Sequence, residues 1–210
     1  MKFHSNSFTH GAAIPPEFAF GKIGSDSEPI ALSDNRNPHF SWSEAPIETQ
    51  SFALVCLDTD APTAADDVNK KDREVPADLP RGEFVHWLLI DIPDFCTEIA
   101  AGSCSDGVTA HGKRAPQGPE RSRQGRNDYT GWFANDPDMA GEYFGYDGPC
   151  PPFNDAIVHH YHFRLYALNT AHLKLPPVFD WAQMQRAMEG HVLDQLEIVG
   201  TYTLNPRLAT

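Results

Sequence analysis

Long apolar runs are missing from this sequence. No stretch approaches the ~20 residues that cross a bilayer, and the opening MKFHSNSFTHGAAIPPEF lacks the apolar centre of a secretory leader. A soluble, cytoplasmic protein without a membrane span is expected. Basic residues are scarce: 16 Lys and Arg stand against 29 Asp and Glu, a formal net charge of −13. Phosphate backbones are met by clustered Lys and Arg, so nucleic acid is set aside as a main partner. Cysteine is also sparse. The four thiols, Cys56, Cys96, Cys104 and Cys150, show no C-x-x-C spacing and are too few for a disulfide framework at this length, which makes reduced cysteines the default. G-x-S-x-G and H-E-x-x-H are absent, so no ready-made nucleophile or zinc helix is offered. No internal repeat occurs.

What is present reads as one domain over residues 1–210, long enough to bury a core over roughly two-thirds of its unfolded surface. Eighteen prolines and 15 glycines are spread along the chain, which suits many short elements joined by turns and favours a β-rich fold. NPHFSWSEAP alternates Phe40 and Trp42 with polar residues, as a short half-buried strand does. SFALVCLD is apolar on both faces until Asp58, so a buried strand ends in a carboxylate. FVHWLLIDIP repeats the pattern, with Phe84, His86, Leu88, Ile90 and Ile92 expected on one face. IVHHYHFRLYAL divides its histidines: His159 falls with Tyr161 and Phe163, while His160 and His162 fall with Arg164. FDWAQMQRAMEGHVL turns helical, with Asp180 and Gln183 as a capping box, and LEIVGTYTL is a last strand.

Two stretches read as loops. Residues 64–83 carry dense mixed charge and two prolines, with room for a short helix. Residues 102–148 are an extended loop region whose first half has the composition of a mobile segment and whose second half has aromatics to pack on the body. Within it, Lys113, Arg114, Arg121, Arg123 and Arg126 face only Glu120, a local basic run suited to an acidic partner.

Taken singly, the polar residues have plain readings. DTDAP is a turn, with Asp58 and Asp60 on the same side if the chain stays extended, and His86 is a hydrogen-bonded core histidine. The combination says more. Asp58, His86 and His159 each interrupt an apolar strand face, as the few polar groups of a mostly apolar pocket do.

The order DTDAP, FVHWLLIDIP, GPCPP, HHYHFRLYAL and GHVLDQLEIVGTY resembles the phosphatidylethanolamine-binding protein family, in its prokaryotic Raf-kinase-inhibitor-like branch. The resemblance extends from about Phe40 to Tyr202. It implies an antiparallel β-sandwich-like core with peripheral helices and a small anion pocket at one end. It implies ligand-binding roles for Asp58, Asp60, Pro62, His86, Gly148, Pro151, Pro152, His159 and Tyr161, with no cofactor and no metal. Thr59 departs from a proline common in the family, His160 from an arginine, and residues 102–148 from the shorter segment of compact members.

The expected chemistry is binding without catalysis. Asp58 would raise the pKa of both histidines, whose charged rings would hold a phosphate-bearing small molecule or phospholipid headgroup, and Asp60 would accept from an ethanolamine ammonium. Backbone N–H groups of residues 148–152 would add donors. One alternative is a metal-assisted phosphodiesterase or esterase built on His86, His159 and Asp58. Another is a module inhibiting a protein kinase or serine protease, and relatives of this branch suggest a homodimer.

Overall fold

SFALVCLD is apolar on both faces because it lies in the middle of a sheet covered on both sides. In the computed structural model, which describes residues 1–209, the strands in chain order are β1 (Lys2–His4), β2 (Gly21–Ile23), β3 (Ile30–Leu32), β4 (Phe40–Ser43), β5 (Ser51–Pro62), β6 (Arg81–Pro93), β7 (Glu98–Ile99), β8 (Arg123–Gln124), β9 (His159–Leu168) and β10 (Val192–Tyr202). Two α-helices, α1 (Tyr129–Trp132) and α2 (Trp181–Met188), and a short 3-10 helix (Pro16–Phe18) lie outside the sheets. The large sheet is antiparallel with order β10-β9-β5-β6-β8, a smaller one runs β1-β4-β7, and β2 and β3 pair as a hairpin.

One face of the large sheet buries Phe52, Leu54, Trp87, Leu89, Phe163 and Leu165 against Phe40 and Trp42 of the smaller sheet, which makes the sandwich. The other face buries Val55, Leu57, Leu88 and Ile90 under Phe179, Met184 and Met188. Each such side chain contributes about 1.5–3 kcal/mol by leaving water. The predicted capping box starts α2: the Asp180 carboxylate accepts from the Gln183 N–H at 2.9 Å, and the Gln183 amide oxygen accepts from the Asp180 N–H at 3.0 Å. Among the described residues no helix is long and apolar enough to cross a membrane.

The face expected for β6 is corrected by two irregularities. Trp87 pairs with Cys56 but Val85 with Leu57, so His86 is an extra residue in the ladder. Such a bulge breaks the two-residue alternation. His86 therefore faces the same side as Trp87, and Leu88 and Ile90 face the opposite one. A second break at Asp91, whose φ is +58°, returns Ile92 to the sandwich side.

The loops are more tightly held than their composition implies. Residues 64–80 form turns without a helix, tied down where the Asn154 side chain bonds the backbone of Asn69, Asp67 and Arg73. In the long segment, β8 joins the large sheet and Tyr143 and Tyr146 are fully buried. The basic run does not form one free patch. Lys113 is paired with buried Asp147 at 2.6 Å, and Arg123 with buried Asp91 at 2.9 Å while also donating to the carbonyls of Leu173 and Leu175.

Candidate ligand-binding site

β5, β6 and β9 are adjacent strands, and their apolar faces end in polar side chains at the same edge of the sandwich. Asp58 sits opposite both Phe84 and Tyr161 in register, and the bulge swings the His86 ring to 5.2 Å from the Tyr161 ring. Here a cavity of about 590 Å³ opens, within the range of small-molecule sites. Of the nine residues expected at the site, Asp58, Pro62, His86, Pro151, Pro152, His159 and Tyr161 line it.

The other two are elsewhere. Asp60 does not share a side with Asp58, because β5 carries another bulge between Asp58 and Ala61. Its carboxylate instead accepts from the backbone N–H and ring Nδ1 of His160, both at 2.8 Å, on the outer face. Gly148 lies behind the wall: its N–H donates to Asn35 and its carbonyl accepts from the Tyr129 hydroxyl at 2.7 Å. Its N–H is thus spent and adds no donor to the cavity.

His159 is a charge link. Its Nδ1 lies 2.7 Å from Asp58 and its Nε2 3.0 Å from Asp155, so both nitrogens donate to carboxylates. Burial pushes its pKa down, but the hydrogen bonds to Asp155 and Asp58 outweigh it and raise the value to about 9. Asp155 is in turn gripped by Arg81 through two bonds of 2.7 and 3.0 Å. Burial alone would raise the Asp155 pKa; the bonds from His159, Arg81 and the Ile157 N–H reverse this and hold it below the ordinary carboxylate range. A row Arg81, Asp155, His159, Asp58 results, with alternating charge. The expectation that His159 donates to a ligand is corrected here, since it has no N–H left.

His86 behaves in the opposite way. Its Nδ1 donates to the Asp147 carbonyl at 2.7 Å, and burial pushes its pKa below the ordinary histidine value despite the opposing pull of Asp58 and Asp147. The expectation of a raised value holds for His159 and fails for His86. A neutral ring with a proton on Nδ1 leaves Nε2 as the uncommitted atom. Tyr161 is fully buried, and its hydroxyl has no hydrogen-bond partner among the described residues. Burial, with Asp58 nearby, holds that hydroxyl protonated well above the ordinary phenol range, so it remains a donor.

Arg81, Asp155 and the far wall carry no signal in the sequence pattern. Asp155 lies four residues before His159, a spacing that fixes no common face across a turn entering a strand. The far wall comes from the β2–β3 hairpin and the long segment. Tyr129 and Phe133 stack with centroids 5.5 Å apart, and Phe20 stacks on Tyr129 at 4.6 Å. This gives the cavity an apolar extension that strand patterns alone could not locate.

A two-sheet sandwich with a partly aromatic cavity and a few fixed polar groups at its floor has the features of a small-molecule-binding β protein. Residues 4–203 match the family model described as phosphatidylethanolamine-binding protein, and the chain belongs to that family. It is 34% identical over 169 residues to a UPF0098 protein of Methanothermobacter thermautotrophicus, covering 80% of this chain and 83% of that one. A UPF0098 protein of Aquifex aeolicus is 29% identical over 204 residues, covering 96% and 88%. Two crystal structures share the fold. Escherichia coli YbcL, described as a new member of the mammalian PEBP family, superposes with a TM-score of 0.68 at 24% identity over 96% of this chain and 97% of that one. The homologue CT736 of Chlamydia trachomatis gives 0.63 at 23% identity, covering 95% of each.

Proposed function

We propose that the protein binds a phosphate-bearing small molecule, such as a phospholipid headgroup, in this cavity and releases it unchanged. The observation that carries the reading is the Tyr161 hydroxyl. A buried donor without a partner costs about 1–3 kcal/mol, which a ligand oxygen would recover. His86 is the second contact. Its Nε2 accepts from a protonated phosphate oxygen while neutral, and donates to an ionised one after taking up a proton. A bound anion favours the charged ring, so affinity for ionised phosphate should rise as pH falls. Asp58 and His159 neutralise each other and set the shape of the floor rather than its charge.

The metal-assisted alternative is disfavoured by the same geometry, since a metal ligand needs a free ring lone pair and both His159 nitrogens point at carboxylates. A binder without turnover fits a floor on which the carboxylate and imidazole already hold one another.

The test is an NMR titration of the imidazole rings with inorganic phosphate, on wild type and Tyr161→Phe. Saturable shifts at His86, with His159 and His162 unmoved, are expected, and the variant should bind roughly fivefold to tenfold more weakly. Unchanged affinity in Tyr161→Phe, or a response led by His162, would sink the assignment. Phosphorus NMR of a phosphodiester incubated with the protein should show no product; hydrolysis would overturn the non-catalytic reading.

A further inference from the structure

The cavity has two ends of different character. Asp58, His86 and Tyr161 at the floor are buried, whereas at the mouth Trp132 is 48% exposed and Asp138 is exposed. Trp132, Phe133, Asp136, Asp138 and Met139 all line the mouth side, and all come from the long segment rather than from the sandwich. No lysine or arginine is among the lining residues. An anion alone would pass two unneutralised carboxylates on its way in.

We propose that the mouth is a subsite for a methylated, quaternary ammonium group, so that the ligand is a zwitterion with its phosphate at the floor and its cation against Trp132, Asp136 and Asp138. The inference rests on the phosphate reading above for the orientation of the ligand. The unpartnered Tyr161 hydroxyl at the far end of the same cavity is the independent sign that a ligand enters it.

The choice of a methylated over a primary ammonium follows from the walls. A primary ammonium brings three N–H donors that need acceptors. Of the four carboxylate oxygens, Asp136 Oδ1 is already taken by the N–H groups of Asp138 at 2.9 Å and Met139 at 3.1 Å, and those of Asp138 stand exposed to water, which serves an ammonium's N–H groups as well as they do. Indole, phenyl and thioether side chains supply no good acceptors, but an aromatic face attracts a cation through its quadrupole, indole most strongly. A methylated ammonium has no N–H to satisfy and sheds water cheaply. The carboxylates then act through charge, not through hydrogen bonds.

Calorimetric titration of the full chain with phosphocholine, phosphoethanolamine, glycerol 3-phosphate and inorganic phosphate tests the inference, with choline chloride followed at the Trp132 indole by NMR. Phosphocholine is expected to bind about tenfold more tightly than glycerol 3-phosphate, and more tightly than phosphoethanolamine. Trp132→Ala and the double variant Asp136→Asn/Asp138→Asn should each erase that preference, with inorganic phosphate bound as before in Trp132→Ala and no more weakly in the double variant, which lacks the repelling charges. Equal affinity for phosphocholine and glycerol 3-phosphate, a preference surviving both variants, or tighter binding of phosphoethanolamine would overturn it. The two readings fail separately. If no phosphate compound binds yet choline still moves the indole, the floor reading is lost and the mouth stands; if phosphate binds and choline moves nothing, the reverse holds.

Discussion

His159 is held between two carboxylates, and its charge is therefore tied to the stability of the sheet. Its folded pKa of about 9 lies above the ordinary histidine value of 6.5, so the stability it contributes is complete below about pH 6.5 and is lost as pH rises through about 9. His86 has the opposite sign. Burial lowers its pKa, so its contribution is present above the ordinary value and is lost as pH falls below it. Urea unfolding between pH 5 and pH 10 should show a maximum near neutrality with an alkaline limb owed to His159. Asp155→Asn should cost roughly 3–5 kcal/mol at the maximum, because it leaves Arg81 and His159 facing a neutral amide in a buried place, and it should flatten the alkaline limb. An unaltered limb would separate His159 from Asp155 and refute the charge row.

At the scale of elements, the site is made by irregularities in strands rather than by the strands themselves. The bulge at His86 turns that ring toward Tyr161, and the bulge after Asp58 sends Asp60 to the other face. This is why the strands, the capped helix and the places of Asp58 and His159 could be read from alternating apolar positions, while Asp60, the face of His86 and the aromatic far wall could not: periodicity carries the regular ladder and is silent on where an extra residue enters it. Arg81 and Asp155 left no pattern, being polar residues in turn-like contexts whose burial depends on contacts 74 residues away. Gly148, expected at the site only through the family resemblance, stands behind the cavity wall rather than in it. A Cβ there would collide with the Phe18 carbonyl and approach the Ala19 Cα at 3.0 Å, both backbone atoms that cannot swing aside. Gly148→Ala should therefore cost about 1–3 kcal/mol and weaken phosphate binding by shifting the wall, as thermal unfolding and calorimetry would register. An alanine variant with wild-type stability and affinity would mean that the wall yields freely.

Taken whole, the molecule joins a rigid sandwich to a long segment that supplies one side of the cavity, so ligand and fold should be coupled. A ligand at one hundred times its Kd adds about 2.7 kcal/mol to stability, which for a chain of this length is a rise in Tm of roughly 5–10 °C. Thermal scans should show that rise in a single cooperative transition, the outcome expected of one domain. Two separated transitions, only one of them ligand-sensitive, would instead make the segment an independent unit. The row of Arg81, Asp155, His159 and Asp58 reaches further than equilibrium stability. It links positions 74 and 101 residues apart, on three strands and the turn that enters β9, which must come together before any of its charges can leave water. Contacts that need all the strands in register are expected to close late, so Asp155→Asn should speed unfolding more than it slows refolding in stopped-flow measurements, and the reverse partition would place the row in the folding nucleus. A row that closes late has little influence on how fast the chain finds its fold and a large one on how long a folded molecule lasts before it opens.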